Sequence, residues 1–314
     1  MNPKVKASLL KLAPAILTSI KHKFFLFLLN LSDSKINTSK LILDLYGNYS
    51  KKKTKKVLDI QKWKSSNILN TNDFKNLIQK ISDGNETCHI ICSGESVFET
   101  IDLIKPDSFS IGFNFSGLIY PNSQIYFMEI AKSSPDFIAK KTKILSKIAK
   151  NSQKQYLFWK NIAGGEVSYK VIKNLFPVEN YYLLDYFLPE YQKRYKFINN
   201  ICLEKVFNSN DIYIPQFCNS IVTLISLASK VFKRIILHGH DMGGKRFYES
   251  EKFCLPEYLS RNDLDILVNN VNSQSKVLHE GTDKSVENVR FIMSNIKNIA
   301  KEKNIELLNA KDIK

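Results

Sequence analysis

The stretch CHIICSGESVFETIDLI, Cys88 to Ile104, decides the fold. An apolar run stops at a turn of small polar residues, Ser93-Gly94-Glu95-Ser96, and the chain then continues with helical spacing of apolar residues. This order predicts a buried strand, a tight turn (the SGES turn, residues 93–96) and a helix. A small-residue turn that leads into a helix is a frequent place for an anionic group or a sugar to bind.

The same alternation of strands and helices continues towards the C-terminus, which predicts an α/β, Rossmann-like fold with a mostly parallel sheet flanked by helices. The predicted strands are Cys88–Cys92, Ser108–Phe113, Gln124–Glu129, Gln155–Trp159, Arg234–His238 and Ile305–Leu308. The predicted helices are Val97–Ile104, Pro135–Lys150, Gly165–Leu175, Asn219–Val231 and Ser285–Lys303. Residues 243–280 follow a late strand and are predicted to form a loop or small helical lid.

The basic charge of the chain lies mostly in its first 80 residues. The formal net charge is +16 over 314 residues, and residues 1–80 hold 16 Lys and 4 Asp, which leaves +4 for the rest. We therefore divide the chain into a basic, helical arm (residues 1–80) and a catalytic domain (residues 81–314). A strongly basic segment implies an anionic partner such as nucleic acid, anionic lipid or a phosphorylated substrate.

The arm has features of a peripheral membrane anchor. Its longest apolar stretch, Ala13 to Leu31, is interrupted by Lys21-His22-Lys23, so it does not read as a spanning helix. Two basic amphipathic segments, followed by the KKKTKK run at Lys51 to Lys56, suit the surface of an anionic membrane. The alternative is a solvated tail with a helix packed on the domain.

The five cysteines do not form a metal-binding or disulfide pattern. They are scattered through a chain too large to need disulfides, which suggests reduced thiols in the cytoplasm. Cys88 and Cys92 in CHIIC could suggest a metal site, but no second pair follows at zinc-finger spacing, and a buried strand explains them better.

Ligands of open α/β sheets bind beyond the carboxyl ends of the strands. This rule selects residues that follow the predicted strands, and Gly239-His240-Asp241 is referred to below as the GHD turn (residues 239–241). The selected residues are Ser93, Gly94, Glu95, Ser96, Asn114, Met128, Glu129, Gly239, His240 and Asp241.

Two motifs near the late strand resemble known sites only in part. GHDMGGKR, Gly239 to Arg246, approaches a phosphate-loop pattern, but Arg246 stands where a magnesium-binding Ser or Thr is needed. HGHD, His238 to Asp241, lacks the further ligands of a binuclear metal site. His279 lies in a polar loop before a helix, and a histidine there has a pKa suited to a general base near neutrality.

In this order, the motifs resemble those of bacterial sialyltransferases that use CMP-activated nonulosonic acids, of the Campylobacter lipooligosaccharide type. Four elements over roughly residues 87–310 carry the resemblance: the strand and turn ICSGES, the strand SIGFNF that ends near Asn114, the helix that leads into KRIILHGHD, and the lid histidine before NIELLNA. The resemblance implies a variant of the glycosyltransferase A-type fold and an inverting transferase that needs no metal and no cofactor besides its CMP-sugar substrate.

The resemblance also implies roles for individual residues. His279 would be the general base, and Tyr248, Lys245 and Arg246 would stabilise the leaving phosphate. The residues implied in donor binding are Ser93, Gly94, Ser96, Asn114, Glu129, Asn219, Ser220, Gly239 and Asp241. CMP-sialic acid, another CMP-nonulosonate and CMP-Kdo all remain open as donors. The acceptor would be a capsule, lipooligosaccharide or O-antigen glycan, and the enzyme would lie on the inner face of the inner membrane, held by its arm.

Two other classes of function remain open. One is a magnesium-dependent enzyme with a similar turn, either a pterin-pyrophosphokinase-like or a flagellin-modification protein, in which Asp241 and Glu129 would bind the metal. The other is a non-enzymatic protein that binds membrane or RNA through its basic arm. The arm lacks interleaved aromatic residues and the domain shows no nucleic-acid module, so we do not expect nucleic acid as the partner.

Overall fold

A computed structural model of the chain describes residues 68–69, 71–113, 115–130, 135–151, 156–161, 181–184, 203–204, 207–208, 220–242, 244–266 and 282–313. These residues form an eight-stranded sheet in which all neighbouring strands are parallel. The strands are β1 (Ile68–Leu69), β2 (Thr87–Ile91), β3 (Phe109–Phe113), β4 (Ile125–Ile130), β5 (Tyr156–Asn161), β6 (Tyr181–Leu184), β7 (Arg234–His238) and β8 (Glu306–Asn309). The predicted α/β class with a parallel, Rossmann-like sheet is confirmed.

The order of the strands identifies the position where a ligand is expected. Across the sheet the order is β1-β6-β5-β4-β3-β2-β7-β8. From β2 the chain adds β3, β4, β5 and β6 on one side, and it then returns to add β7 and β8 on the other side of β2. The direction of winding therefore reverses between β2 and β7. In open α/β sheets the ligand crevice lies at the carboxyl ends of the two strands that flank such a reversal.

The two strands at this reversal are almost wholly buried because both of their faces are covered. In β2 and in β7, a half-buried first residue is followed by four buried ones. Parallel strands covered on both faces show continuous apolar runs of this kind. The predicted bounds of β7 agree with the structure, and β2 is shifted by one residue.

Helices connect the strands close to where the sequence predicts them. They are α1 (Thr71–Ser82), α2 (Val97–Thr100), α3 (Pro135–Lys150), α4 (Ser220–Ala228) and α5 (Thr282–Glu302). The helix predicted over Val97–Ile104 is shorter, because α2 changes into a 3-10 helix over Ile101–Leu103. The bounds predicted for α3 are confirmed, and the helix predicted over Gly165–Leu175 lies outside the described residues.

The core lies on both faces of the sheet. Side chains of α1, α4 and α5, such as Phe74, Leu224 and Ile296, join Ile90 of β2 and Leu237 of β7 in one buried cluster. Three side chains of α3 are buried as well: Ile144, Leu145 and Ile148. The sheet is therefore a rigid layer that holds the turns at its carboxyl edge in place.

The folded domain begins earlier than the predicted division at residue 80. That division falls inside α1, whose Phe74 and Ile78 belong to the core, and β1 pairs with β6. Residues 1–67 of the predicted arm lie outside the described residues. None of the helices within the described ranges is long and apolar enough to cross a membrane.

The strand β6 and the predicted lid need separate comparison with the prediction. The strand β6 was not predicted, since Tyr181–Leu184 is a short run that alternates in neither the strand nor the helix period and lies in a long aromatic stretch. Within the predicted lid, residues 244–266 are described; they contain a 3-10 helix over Phe247–Glu249 and a helical segment over residues 261–266. The rest of the predicted lid lies outside the described residues.

Candidate functional site

The SGES turn after β2 lies directly against the GHD turn after β7. The Cys92 N–H donates to the carbonyl of His238 over 2.8 Å, and the Gly94 N–H donates to the carbonyl of Gly239 over 2.8 Å. The hydrogen-bond ladder between β2 and β7 thus continues past the ends of both strands. The sequence-predicted residues of these two turns are brought together at the switch point of the sheet.

The contact between the turns requires glycine on both sides. A Cβ atom on Gly94 would overlap the Asp241 carboxylate and lie 2.5 Å from the carbonyl oxygen of Gly239. A Cβ atom on Gly239 would lie 2.9 Å from the carbonyl oxygen of Gly94, and Gly239 has φ +64°, a conformation that favours glycine. The GHD turn therefore occupies the space that a side chain at Gly94 would need.

Asp241 ties the GHD turn to the last residue of the SGES turn. Its carboxylate accepts a hydrogen bond from the Ser96 N–H over 3.0 Å and a short one from the Ser96 hydroxyl. Burial on its own raises the pKa of Asp241, but hydrogen bonds from Ser96 and Lys311 outweigh it, so the pKa lies below its ordinary value. Asp241 is consequently an ionised residue that holds the two turns together.

The segment after the GHD turn returns along the SGES turn as a short antiparallel bridge. Gly94 pairs with Arg246, the Glu95 N–H donates to the carbonyl of Lys245 over 3.1 Å, and the Phe247 N–H donates to the carbonyl of Ser93 over 2.9 Å. The Arg246 guanidinium also donates to the Ser93 hydroxyl over 2.9 Å. Both cations are exposed and lie beside the turn at the carboxyl edge of the sheet.

Tyr248 follows this bridge and lies in an aromatic cluster. Its ring makes edge contacts with Phe115, at a centroid distance of 6.2 Å, and with Phe247, at 5.2 Å. Burial raises the pKa of Tyr248 to about 12, with a smaller opposing effect from Arg246. The phenol therefore stays protonated at neutral pH and can donate a hydrogen bond. Because Phe115 follows β3, the cluster also places Tyr248 next to the end of that strand.

The C-terminal segment reaches the same site, which sequence analysis did not anticipate. Lys311 lies in a 3-10 helix over Ala310–Ile313, directly after β8, and its ammonium lies 3.3 Å from Asp241 Oδ1. The Asn309 side chain donates to the carbonyl of His240 over 3.1 Å. The sequence does hold a signal for this contact, because it predicts β8 as a strand. Residues that follow a parallel strand lie at the same edge of the sheet as the GHD turn.

Next to the site is a buried pair of histidines, His89 in β2 and His238 at the end of β7. Nδ1 of His89 and Nε2 of His238 are 2.9 Å apart, and Nδ1 of His238 is 3.1 Å from the carbonyl oxygen of Thr100. Because a carbonyl only accepts, His238 Nδ1 carries a hydrogen; the neutral ring then accepts at Nε2 from His89 Nδ1. Burial lowers the pKa of both rings to about 4.

Five other sequence-predicted residues cannot be joined to this geometry. Glu129 lies in β4 and Ser220 begins α4, but neither side chain is described. Asn114, Asn219 and His279 lie outside the described residues.

The described residues contain no cluster of three or more His, Cys, Asp or Glu side chains arranged to hold a metal ion. Cys88 and Cys92 are both buried, and burial raises the pKa of each thiol, that of Cys92 to about 12. Both thiols therefore stay protonated at neutral pH, whereas a thiol binds metal as the thiolate. This agrees with the interpretation of CHIIC as a buried strand.

Comparisons with known proteins found no family model, no curated protein and no solved structure that matches the chain. The site is therefore interpreted from its own residues. Four parts of the chain are joined by direct contacts at this site. They are the SGES turn, the GHD turn, the bridge at Lys245 and Arg246, and the C-terminal Lys311.

Proposed function

We propose that this protein is an inverting glycosyltransferase that moves a nonulosonic or ulosonic acid from a CMP-activated donor to a hydroxyl of a cell-surface glycan. The observation that carries the proposal is the contact between the SGES turn and the GHD turn at the switch point, with Lys245 and Arg246 exposed beside it. Ligands of open α/β sheets bind at this position. A CMP-sugar brings a negative phosphate and a negative sugar carboxylate, which suit the two cations.

The choice of a CMP-activated donor comes from the resemblance of the motifs to bacterial sialyltransferases. The structure supports the order of these motifs in space, because ICSGES and KRIILHGHD form the neighbouring strands β2 and β7. In the proposed site Ser93, Asn114, Glu129, Asn219 and Ser220 contact the donor. The glycines and Asp241 hold the turns in the shape that admits it.

In the proposed reaction the acceptor hydroxyl attacks the anomeric carbon of the donor sugar. The bond from that carbon to the phosphate oxygen breaks, and CMP leaves with the bonding electrons. His279 takes the proton of the attacking hydroxyl. Attack from the side opposite the leaving group inverts the anomeric centre.

The leaving phosphate gains negative charge as its bond to the sugar breaks, and fixed donors that face it lower the barrier. Arg246 is held by its hydrogen bond to Ser93, so its guanidinium is oriented before the donor binds. Tyr248 stays protonated and supplies a neutral donor, and Lys245 supplies a second positive charge. In the proposal these side chains stabilise the negative charge of the leaving phosphate, and no role is assigned to a metal.

The basic arm gives the proposal its cellular setting. Residues 1–80 hold 16 Lys and 4 Asp, and basic segments attach to anionic membrane surfaces with roughly 1 kcal/mol per charge. We assign the protein to the inner face of the inner membrane, where lipid-linked acceptors of capsule, lipooligosaccharide or O-antigen synthesis are found.

The proposal is tested by the transfer reaction itself. CMP release from CMP-sialic acid, from other CMP-nonulosonates and from CMP-Kdo is measured with a glycan acceptor. Arg246→Met is expected to lower kcat by about a hundred- to a thousandfold, as loss of one transition-state donor does. Arg261→Met is the matched control, since the Arg261 side chain is 80% exposed and its ion pair within the described part of the chain is with Asp265, one helical turn away. If the protein releases CMP from none of these donors, the proposal is contradicted.

A further inference from the structure

The SGES turn has a cation at each end. At its first residue, the Arg246 guanidinium donates to the Ser93 hydroxyl over 2.9 Å. At its last residue, Asp241 connects Ser96 to Lys311: the Ser96 hydroxyl and the Lys311 ammonium share the same carboxylate oxygen, Oδ1. The first cation was predicted from the sequence, whereas the second comes from the end of the chain and belongs to no predicted motif.

Lys311 is held at this place by its backbone as well as by its ion pair. Its N–H donates to Asn309 Oδ1 over 3.2 Å, and the Asn309 amide donates to the carbonyl of His240 in the GHD turn over 3.1 Å. The C-terminal segment thus contacts the GHD turn through two side chains, Asn309 on the carbonyl of His240 and Lys311 on the carboxylate of Asp241. A change at Lys311 that keeps the backbone leaves the Asn309 contacts in place.

The exposure of the two ion-pair partners suggests what Lys311 does. Asp241 is only 16% exposed in its side chain, whereas Lys311 is 44% exposed. Asp241 keeps its negative charge next to the turn, and a bare carboxylate there would repel an incoming phosphate. An ammonium group has three hydrogens, so Lys311 can bond to Asp241 and still donate to an anion on its solvent side.

We infer that Lys311 binds the phosphate of the CMP-activated donor, together with Arg246 at the other end of the SGES turn. This inference rests on the proposed function and adds a residue and an element to its site: the C-terminal 3-10 helix. Asp241 is then a positioning residue, since it orients both Lys311 and Ser96. The donor contacts of this turn come from three separate parts of the chain: residues 93–96, 245–246 and 311.

The test compares the binding of CMP and of cytidine, which lacks the phosphate, to the full-length chain by calorimetry. Lys311→Met is expected to weaken CMP binding about ten- to a hundredfold, as loss of a hydrogen bond between charged groups does, and to leave cytidine binding unchanged. Lys311→Arg is expected to keep most of the CMP affinity. Lys303→Met is the matched control, because Lys303 is also exposed but precedes β8 at the opposite edge of the sheet.

The outcomes separate this inference from the proposed function. If the wild-type chain binds CMP and Lys311→Met binds it equally well, Lys311 only neutralises Asp241 and the inference is wrong. Equal weakening of CMP and cytidine also overturns it, because the role is then structural. If the wild-type chain binds neither compound, the proposed function fails and the inference fails with it. A higher salt concentration should weaken CMP binding more in the wild-type chain than in Lys311→Met.

Discussion

Replacing His89 with Asn is expected to reduce the loss of folding stability that occurs between pH 7 and pH 5. His89 is 6% and His238 is 0% exposed, and burial lowers the pKa of each ring to about 4. In the unfolded chain each ring has a pKa of about 6.5, so the unfolded state binds more protons as the solution becomes acidic. The stability is fully present above about pH 6.5 and is lost as the pH falls towards 4.

The size of the effect follows from these two pKa values. For one ring with a folded pKa of about 4 and an unfolded pKa of 6.5, linkage gives a loss of about 2 kcal/mol between pH 7 and pH 5. The first proton is expected on Nε2 of His89, which is not used in the bond to His238; burial and the charge of Arg234 oppose it. Because a proton on His238 Nε2 would break the bond between the rings, His89 is the informative position.

The assay is urea unfolding of the wild-type chain and the variant at pH 7 and pH 5. The amide of Asn can place an N–H near the position of His Nδ1, so His89→Asn keeps the donor to His238 and removes one titrating ring. His89→Gln is the matched control, because it removes the same ring but places its amide one bond further out. Both variants should reduce the loss between the two pH values by about 2 kcal/mol, and Gln should be less stable at pH 7. If the difference in unfolding free energy between wild type and His89→Asn were the same at pH 7 and at pH 5, the reasoning would be refuted.

Two further variants test the contact between the turns. Gly94→Ala is expected to lower the free energy of unfolding by about 1–3 kcal/mol in urea titrations, because its Cβ would lie 2.5 Å from the carbonyl oxygen of Gly239; wild-type stability would show that the turns separate at little cost. Asp241→Asn is expected to cost about 1.5–3 kcal/mol, since a neutral amide replaces the charged acceptor of Ser96 and Lys311. A double-mutant cycle with Ser96→Ala should show coupling between the two positions, and additive effects would contradict the shared hydrogen bonds.

The fold was predictable largely because its central strands are buried on both faces. The mostly apolar runs in β2 and β7 are typical of strands in the middle of a parallel sheet, and their bounds agree with the prediction to within one residue. β6 is different: Tyr181–Leu184 pairs through its backbone with Leu157, Phe158 and Trp159 of β5, which is far away in sequence. A strand of four residues gives little local signal of such pairing.

The site was predictable in its position and less so in its internal contacts. The rule that ligands bind beyond the carboxyl ends of strands selected both turns from the sequence, with Gly94 and Gly239 among their residues. It did not show that each glycine makes room for the other turn, since that depends on the register between β2 and β7. Lys311 was missed for the same reason, because its contact with Asp241 joins residues that are distant in sequence.

The central claim is that the carboxyl edge of the sheet at the SGES and GHD turns binds a cytidine nucleotide. The most direct measurement is the thermal unfolding of the full-length chain with CMP, CDP, UMP, GDP and ATP, each with EDTA and with magnesium. A ligand at a hundredfold excess over its dissociation constant stabilises the folded state by about 2.7 kcal/mol, which shifts the unfolding temperature measurably. The account predicts stabilisation by CMP that EDTA does not alter. Stabilisation only by ATP or GDP with magnesium would contradict it in favour of a phosphotransferase, and no response to any nucleotide would remove the nucleotide site altogether.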